Sequence, residues 1–284
     1  MSTHLSRAVL ITGCSSGIGK ATARRLLRSG WTVYASARRL DDIADLAADG
    51  ARPLRLDVAD DSSMTAAVAA VESEAGAVGV LINNAGYSQS GAVESVSLER
   101  VRRQFETNVF GTVRMAQLVL PGMRAQGWGR IVNLSSMGGK LTFPGGGFYH
   151  GTKYAVEAIT DALRFEVAGF GVRAILIEPG LIVSGFAEAA ADSVASTSAD
   201  SGPYAAFNAA VVKATRDAYT AGPLAKLGGT PETVAAVIEH AIASNSPRAR
   251  YTVTPSASVL IALRRMLPDR LWDGFLAMQF PQPR

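Results

Sequence analysis

The chain has 284 residues, 48% of them hydrophobic and 18% charged, with 28 Lys and Arg against 24 Asp and Glu for a formal net charge of +4. That much apolar material can bury a sizeable core and excludes a disordered chain, while so small a basic surplus, without a run of basic residues, excludes a nucleic-acid-binding arm. One cysteine, Cys14, excludes an internal disulfide, and no leader peptide or long unbroken apolar span is visible, so the chain reads as cytoplasmic with no integral membrane segment.

Short apolar runs alternate with longer helical stretches, the pattern of a parallel sheet with crossover helices. Strands are predicted at 8–12, 31–36, 53–56, 78–83, 129–135, 172–178 and 250–254. Most are apolar at consecutive positions, as in strands covered on both faces. Helices are predicted at 17–29, 41–49, 61–75, 97–126, 149–169 and 231–244, the last announced by Thr230 as a cap and Pro231 at the first helical position. The fold class that follows is α/β, a doubly wound parallel sheet of about seven strands with helices on both faces, spanning 1–284 as one domain. Residues 185–229, rich in Ala, Ser and Gly, read as a lid or as a plain surface excursion. The apolar extension at 256–284 (Leu260, Leu263, Met266, Leu267, Leu271, Trp272, Phe275, Phe280) folds over the domain or meets a partner chain. His4, His150 and His240 are too far apart for zinc-ligand spacing, so no metal is expected.

The first strand runs into Thr12-Gly13-Cys14-Ser15-Ser16-Gly17-Ile18-Gly19 and then a helix. Glycines let such a turn approach a pyrophosphate, and the helix start offers unpaired N–H groups and the positive end of its dipole. A bland strand-to-helix turn is the alternative, and the TGxxxGIG spacing is not GxGxxG. Further along stand Asn83-Asn84-Ala85-Gly86, Asn108 within NVFG, Ser136 after the fifth strand, Tyr149-His150-Gly151-Thr152-Lys153, and Glu178-Pro179-Gly180. With these motifs in this order, residues 7 to about 255 resemble the short-chain dehydrogenase/reductase family, and the general look is similar to its steroid and retinol dehydrogenase branch. The resemblance implies a Rossmann fold and a nicotinamide-dependent oxidoreductase.

Tyr149 and Lys153 are four apart on a predicted helix and so share a face. A tyrosine with its ordinary pKa of about 10 is a poor base, but a nearby ammonium favours the phenolate, and Tyr149 could then move the proton of an alcohol or carbonyl. Ser136, thirteen residues before Tyr149, would orient the substrate oxygen. Ser135 is its competitor, pointing to the opposite face if both lie in a strand. The resemblance implies that Asn108 completes a tetrad by holding a water that relays protons through Lys153, and that Lys153 also binds the nicotinamide ribose. It further implies cofactor contacts at Gly13, Ser15, Ser16, Gly17, Ile18, Gly19, Asn84, Ala85, Gly86, Pro179 and Gly180. By the same resemblance Asp57, with Val58 beside it, meets the adenine, the Ile182 backbone meets the carboxamide, and Ser184 stands where threonine is common. A serine hydrolase is set aside, since G-x-S-x-G is absent and no histidine follows as a base.

The second strand ends Ala35-Ser36-Ala37-Arg38-Arg39. No carboxylate holds a ribose 2′-hydroxyl there, and Arg38 could pair a 2′-phosphate, so NADP(H) is expected over NAD(H). A solvated surface arginine is the alternative. Met137, Leu141, Phe143, Phe148 and the 185–229 segment are expected to line the substrate pocket, and their apolar bulk favours a hydrophobic alcohol or ketone (steroid-, retinoid- or lipid-like) over a sugar or a charged acid. The helices at 97–126 and 149–169 carry small and apolar residues on more than one face, and the family commonly pairs them, so a homodimer or homotetramer is expected. A non-catalytic NADP-binding sensor or scaffold on the same fold would predict loss of Tyr149 or Lys153, and both are present. A sugar-nucleotide epimerase or dehydratase would resemble TGxxGxxG instead.

Overall fold

The computed structural model describes residues 5–195, 202–221 and 224–283. Seven parallel strands, β1 (Val9–Ile11), β2 (Val33–Ala37), β3 (Arg52–Arg55), β4 (Val80–Asn83), β5 (Gly129–Leu134), β6 (Val172–Pro179) and β7 (Arg250–Val253), form one sheet in the order β3-β2-β1-β4-β5-β6-β7. Each predicted strand is present within two residues. The sheet grows outward in both directions from β1, whose edges pair with β2 and β4, and this reversal opens a crevice at the carboxyl ends of the strands.

Among the described residues the α-helices are α1 (Gly17–Arg28), α2 (Ala44–Ala48), α3 (Asp61–Ala75), α4 (Leu98–Phe105), α5 (Gly111–Gln126), α6 (Gly147–Glu166), α7 (Phe186–Ala195), α8 (Ala205–Thr220), α9 (Pro231–Ala243), α10 (Pro255–Met266) and α11 (Asp269–Ala277). Strand side chains alternate between faces. Val9, Ile11, Val33, Val80 and Ile82 turn toward Leu26 of α1, Leu46 of α2 and Ile238 of α9. Leu10, Tyr34, Leu81 and Ile131 turn the other way, toward Val68 of α3 and Met115 and Val119 of α5. Both faces are therefore dry, which is why the strands read as unbroken apolar runs.

The predicted helix 97–126 is not continuous. A π turn at Glu106–Phe110 separates α4 from α5. The Asn108 side chain is drawn to the Tyr87 backbone there, and a Cβ on Gly111 would collide with Val58 O. The predicted helix 41–49 opens as a 3-10 turn, Leu40–Ile43, before α2. The lid segment holds α7, α8 and a 3-10 turn at Ala225–Leu227, while 196–201, 222 and 223 lie outside the described residues, as do His4 and Arg284. The apolar tail forms α10 and α11, whose Leu260, Ile261 and Trp272 pack with Met137, Leu141 and Leu181. Cys14 is buried and free. Among the described residues no helix is long and apolar enough to cross a membrane.

Candidate active site

A cavity of about 1160 Å³ runs along the carboxyl ends of the strands. At its base Gly13 and Gly17 take left-handed backbone (φ +72° and +55°), and a Cβ on Gly13 would come within 2.9 Å of Ala85 Cα. Ser15, Ser16, Gly17 and Ile18 border the cavity. Ser16 starts α1 in extended backbone with no side-chain cap, so the first-turn N–H groups remain available to an anion. Gly19 departs from expectation. It does not border the cavity but packs under the loop, where a Cβ would collide with Gly13 O and lie 2.5 Å from Asn84 Nδ2. Asn84 Nδ2 donates to Thr12 O and Gly13 O at 2.9 Å each, and Thr12 Oγ1 accepts from the backbone of Asn84 and Ala85 at 3.0 Å each. The loop after β4 thus pins the glycine turn. Thr12, which the sequence reading quoted but gave no role, is part of that lock.

Farther along, Ala37, Arg38, Asp57 and Val58 border the same groove. Arg38 is exposed and makes no hydrogen bond or salt bridge to a described residue, whereas Arg39 is tied to Asp42 at 2.5 Å. Asn84, Ala85, Gly86, Pro179, Gly180, Ile182 and Ser184 line the opposite stretch. Gly229 bonds the backbone on either side of Ile182, donating to Leu181 O (2.8 Å) and accepting from Val183 N (2.9 Å). The N–H of Ile182 itself points away from that bridge. Ser184 Oγ donates to Ile182 O and accepts from Phe186 N, both at 3.4 Å.

Ser136, Tyr149 and Lys153 meet at the middle of the cavity. Ser136 heads a 3-10 turn, Met137–Gly139. Its Oγ accepts from Gly138 N at 3.0 Å, and its hydroxyl is close enough to the Tyr149 phenol to act on it. β5 ends at Leu134, so Ser135 and Ser136 do not alternate across a strand; both border the cavity, and Ser136 is the one that meets Tyr149. Lys153 Nζ donates to Leu134 O at 2.7 Å and lies 5.7 Å from the Tyr149 ring centroid. Burial raises the Tyr149 pKa above its usual range, with the Ser136 hydroxyl pulling the other way and nearby Tyr219 adding to the rise. Within the chain alone Ser136 is the group that lowers Tyr149, and the expected effect of Lys153 belongs to the complex with a positively charged nicotinamide. Burial brings Lys153 itself down to about 8, opposed by the charge of Glu157.

Asn108 sits in the π turn and does not border the cavity. Its Oδ1 accepts from Tyr87 N (3.1 Å), and its Nδ2 donates to Tyr87 O (2.9 Å) and Thr152 Oγ1 (3.1 Å). Both Nδ2 hydrogens are therefore committed to protein groups, which leaves one acceptor site on Oδ1 and the Asn108 backbone carbonyl, which already accepts from Thr112 Oγ1 at 3.0 Å.

On the substrate side Met137 and Phe143 border the cavity, while Leu141 and Phe148 do not. Leu141 is fully buried beneath the wall because its N–H returns to Met137 O and turns the chain inward. Phe148 precedes Tyr149 by one residue, about 100° around the helix from the Tyr149–Lys153 face. The sequence reading did not single out Phe186, Tyr219 and Leu224 from the lid as pocket residues, and it left Leu260, Phe275 and Phe280 of the tail without a role at the pocket. The Phe186 ring centroid lies 5.4 Å from that of Tyr149. Helical spacing in 260–275 signals amphipathic helices, but only packing shows that they close this cavity. Among the described residues no group of three or more His, Cys, Asp or Glu is placed to share a metal ion.

A family model described as short chain dehydrogenase matches residues 7–195. The chain is 34% identical to the uncharacterized oxidoreductase YbbO of Escherichia coli strain K12 over 273 residues, 96% of this chain and 94% of that protein. It is 33% identical to an NADPH-dependent 3-dehydrocapnine reductase of Ornithobacterium rhinotracheale (94% and 95% covered). Over 63% of its own length and 65% of the other, it is 42% identical to a 3-ketodihydrosphingosine reductase of Bacteroides thetaiotaomicron. Among solved structures it resembles a short-chain dehydrogenase/reductase from Burkholderia phymatum in complex with NAD, with a TM-score of 0.78, 26% identity and coverage of 100% and 99%.

Proposed function

The chain belongs to the short-chain dehydrogenase family, and we propose that it serves there as an NADP(H)-dependent oxidoreductase interconverting a hydrophobic, lipid-like alcohol and its ketone or aldehyde. Oxidoreduction with a nicotinamide cofactor comes with the family. The residues fit such a group: a turn whose Gly13 and Gly17 take left-handed backbone, an uncapped helix start for the pyrophosphate, and an Ile182 whose N–H is not used by the Gly229 bridge. When bound, the nicotinamide supplies or accepts the hydride.

The observation that carries the reading is the Tyr149 phenol, half-buried beside Ser136 and Lys153 where the nucleotide groove opens into an apolar chamber. Ser136 donates to the substrate oxygen, and Tyr149 gives it a proton in reduction or takes one in oxidation. Lys153 spends one donor on Leu134 O and keeps others for the ribose. Asn108 steadies the segment at Tyr87. Arg38 is the group we assign to a 2′-phosphate, and its lack of a hydrogen bond or salt bridge among the described residues supports NADP(H) over NAD(H). Phe143, Phe186, Leu224, Phe275 and Phe280 favour an extended apolar substrate. The names of two relatives point to ketones, and we place the substrate with lipid-like ketones ahead of steroids or retinoids. The reading takes the chain as one domain, with 185–229 and the tail closing the chamber, working in the cytoplasm as a homo-oligomer.

The test is to follow NADPH and NADH consumption with a graded series of hydrophobic ketones, and NADP+ reduction with the matching alcohols. Turnover that rises with chain length and prefers NADPH is expected. Tight NADPH binding without turnover of any member would favour the sensor reading instead.

A further inference from the structure

Behind the site lies a group of charges that the proton transfer itself does not use. Glu157 stands one turn beyond Lys153 on α6 and is 4% exposed. Its Oε2 meets Lys140 Nζ at 2.5 Å, and its Oε1 is buried with no hydrogen-bond partner among the described residues. Lys140 follows the Met137–Gly139 turn directly and so travels with Ser136. Gly139 permits the close approach, since a Cβ there would lie 2.9 Å from Glu157 Cγ and 3.1 Å from Lys153 O. Lys140 also reaches Glu178, 2% exposed beside Pro179 at the end of β6, at 3.7 Å. From β7, Arg250 comes within 3.4 Å of Glu157 and 3.3 Å of Glu178 and bonds both oxygens of Asp161 at 2.8 Å.

Lys153 shares its helix with Tyr149, His150 and Glu157, and Glu157 in turn is met by Lys140 from the serine turn and Arg250 from β7, both of which also reach Glu178 of β6. The π turn brings the neutral Asn108 near Lys153 around Gly86, while its acid, Glu106, is exposed. Burial brings Lys153 down to about 8, and Glu157 is the charge that opposes this. We propose that Glu157 is a positioning residue that keeps Lys153 charged and aimed into the cavity, and that Lys140 sets the strength of this effect by partly neutralising Glu157, coupling the serine turn to the Tyr149–Lys153 helix. Without the charge of Glu157, Lys153 faces burial and Lys140 unopposed. Without the charge of Lys140, Glu157 acts on Lys153 with only Arg250 to share it. The two losses push Lys153 in opposite directions, whereas a merely structural tie between turn and helix pushes it in neither.

The inference takes the role of Lys153 from the proposed function, but its test reads the lysine directly. The chain holds five lysines, Lys20, Lys140, Lys153, Lys213 and Lys226, so full-length protein with ¹³C-labelled lysine side chains resolves Lys153, assigned by its loss in Lys153→Arg. Glu157→Gln, matched in shape, lowers the Lys153 titration midpoint by about one pH unit, the scale of one nearby opposite charge. Lys140→Met raises the midpoint and Lys140→Arg restores it. If Lys140→Met does not fold, the double variant Lys140→Met/Glu157→Gln removes both charges together, and its midpoint lies above that of Glu157→Gln. An unmoved midpoint in Glu157→Gln, or a double variant no higher than Glu157→Gln, overturns the proposal. Since no turnover is read, that failure is distinct from failure of the catalytic assignment, which Tyr149→Phe kinetics tests.

Discussion

Tyr149→Phe keeps the ring that packs 5.4 Å from Phe186 and removes only the hydroxyl. The fold and NADPH affinity should persist while kcat falls by about two orders of magnitude or more. Fluorescence titration of NADPH beside steady-state kinetics checks both halves, and a near-normal kcat would take Tyr149 out of the reaction. Arg38 makes a separate prediction. A charge-assisted contact to a 2′-phosphate contributes about 1.5–3 kcal/mol, roughly a ten- to hundredfold preference. Arg38→Ala should therefore weaken NADP(H) alone and Ala37→Asp should reverse the preference, read as the ratio of kcat/KM with the two cofactors at low and physiological salt. Equal losses for both cofactors would make Arg38 a stacking or surface residue. Tyr149, Lys153 and Ala37 were legible because their signals are local, a four-residue spacing and a strand end. Leu141 and Phe148 were not, because facing the cavity depends on a turn and on helix phase that composition does not carry.

The strands were legible at the scale of elements because dry faces on both sides demand unbroken apolar runs. The break at Asn108 was not, since its cause is a contact with Tyr87, 21 residues away. Nor did α7 and α8 stand out from their Ala- and Ser-rich surroundings. Where α6 meets the serine turn, His150 donates from Nδ1 to Gly138 O at 3.1 Å, and a Cβ on Gly138 would collide with that nitrogen. Burial holds the His150 pKa down to about 4 from an ordinary 6.5. Below pH 6.5 the unfolded chain takes up a proton that the folded chain refuses until about pH 4. Its contribution is therefore intact above pH 6.5 and is lost as pH falls toward 4, by up to about 3 kcal/mol. His150→Asn keeps a polar side chain near Gly138 without the titration, so its urea midpoint should change less than wild type between pH 7 and pH 5. Parallel losses in the two proteins would assign the acid sensitivity to other groups.

The molecule as a whole presents one more pattern on α6. Its inner face buries Thr152, Lys153, Val156, Glu157 and Thr160. Its outer face shows Gly151, Tyr154, Ala158, Ala162 and Phe165 in one stripe at helical spacing, all exposed, with Phe165 at 87%. Phe110, at the end of the π turn, is 55% exposed as well. Small residues flanked by large apolar ones let two helices approach closely, and a contiguous patch of this kind marks an interface. A two-fold axis through the stripe would pair it with itself in a second copy, since such an interface is self-complementary. We therefore expect light scattering at micromolar concentration to return about twice the 29.7 kDa chain mass, or a tetramer if the exposed Met266 and Met278 of the tail make a second contact. Ala158→Glu is the informative variant. The side chain is exposed within one chain, so the change costs the monomer little, yet in the dimer it brings two like charges together at the seam. The mass should fall to that of a single chain with far-UV circular dichroism unchanged. A wild-type monomer, or an Ala158→Glu variant that still dimerises, would move the interface away from α6.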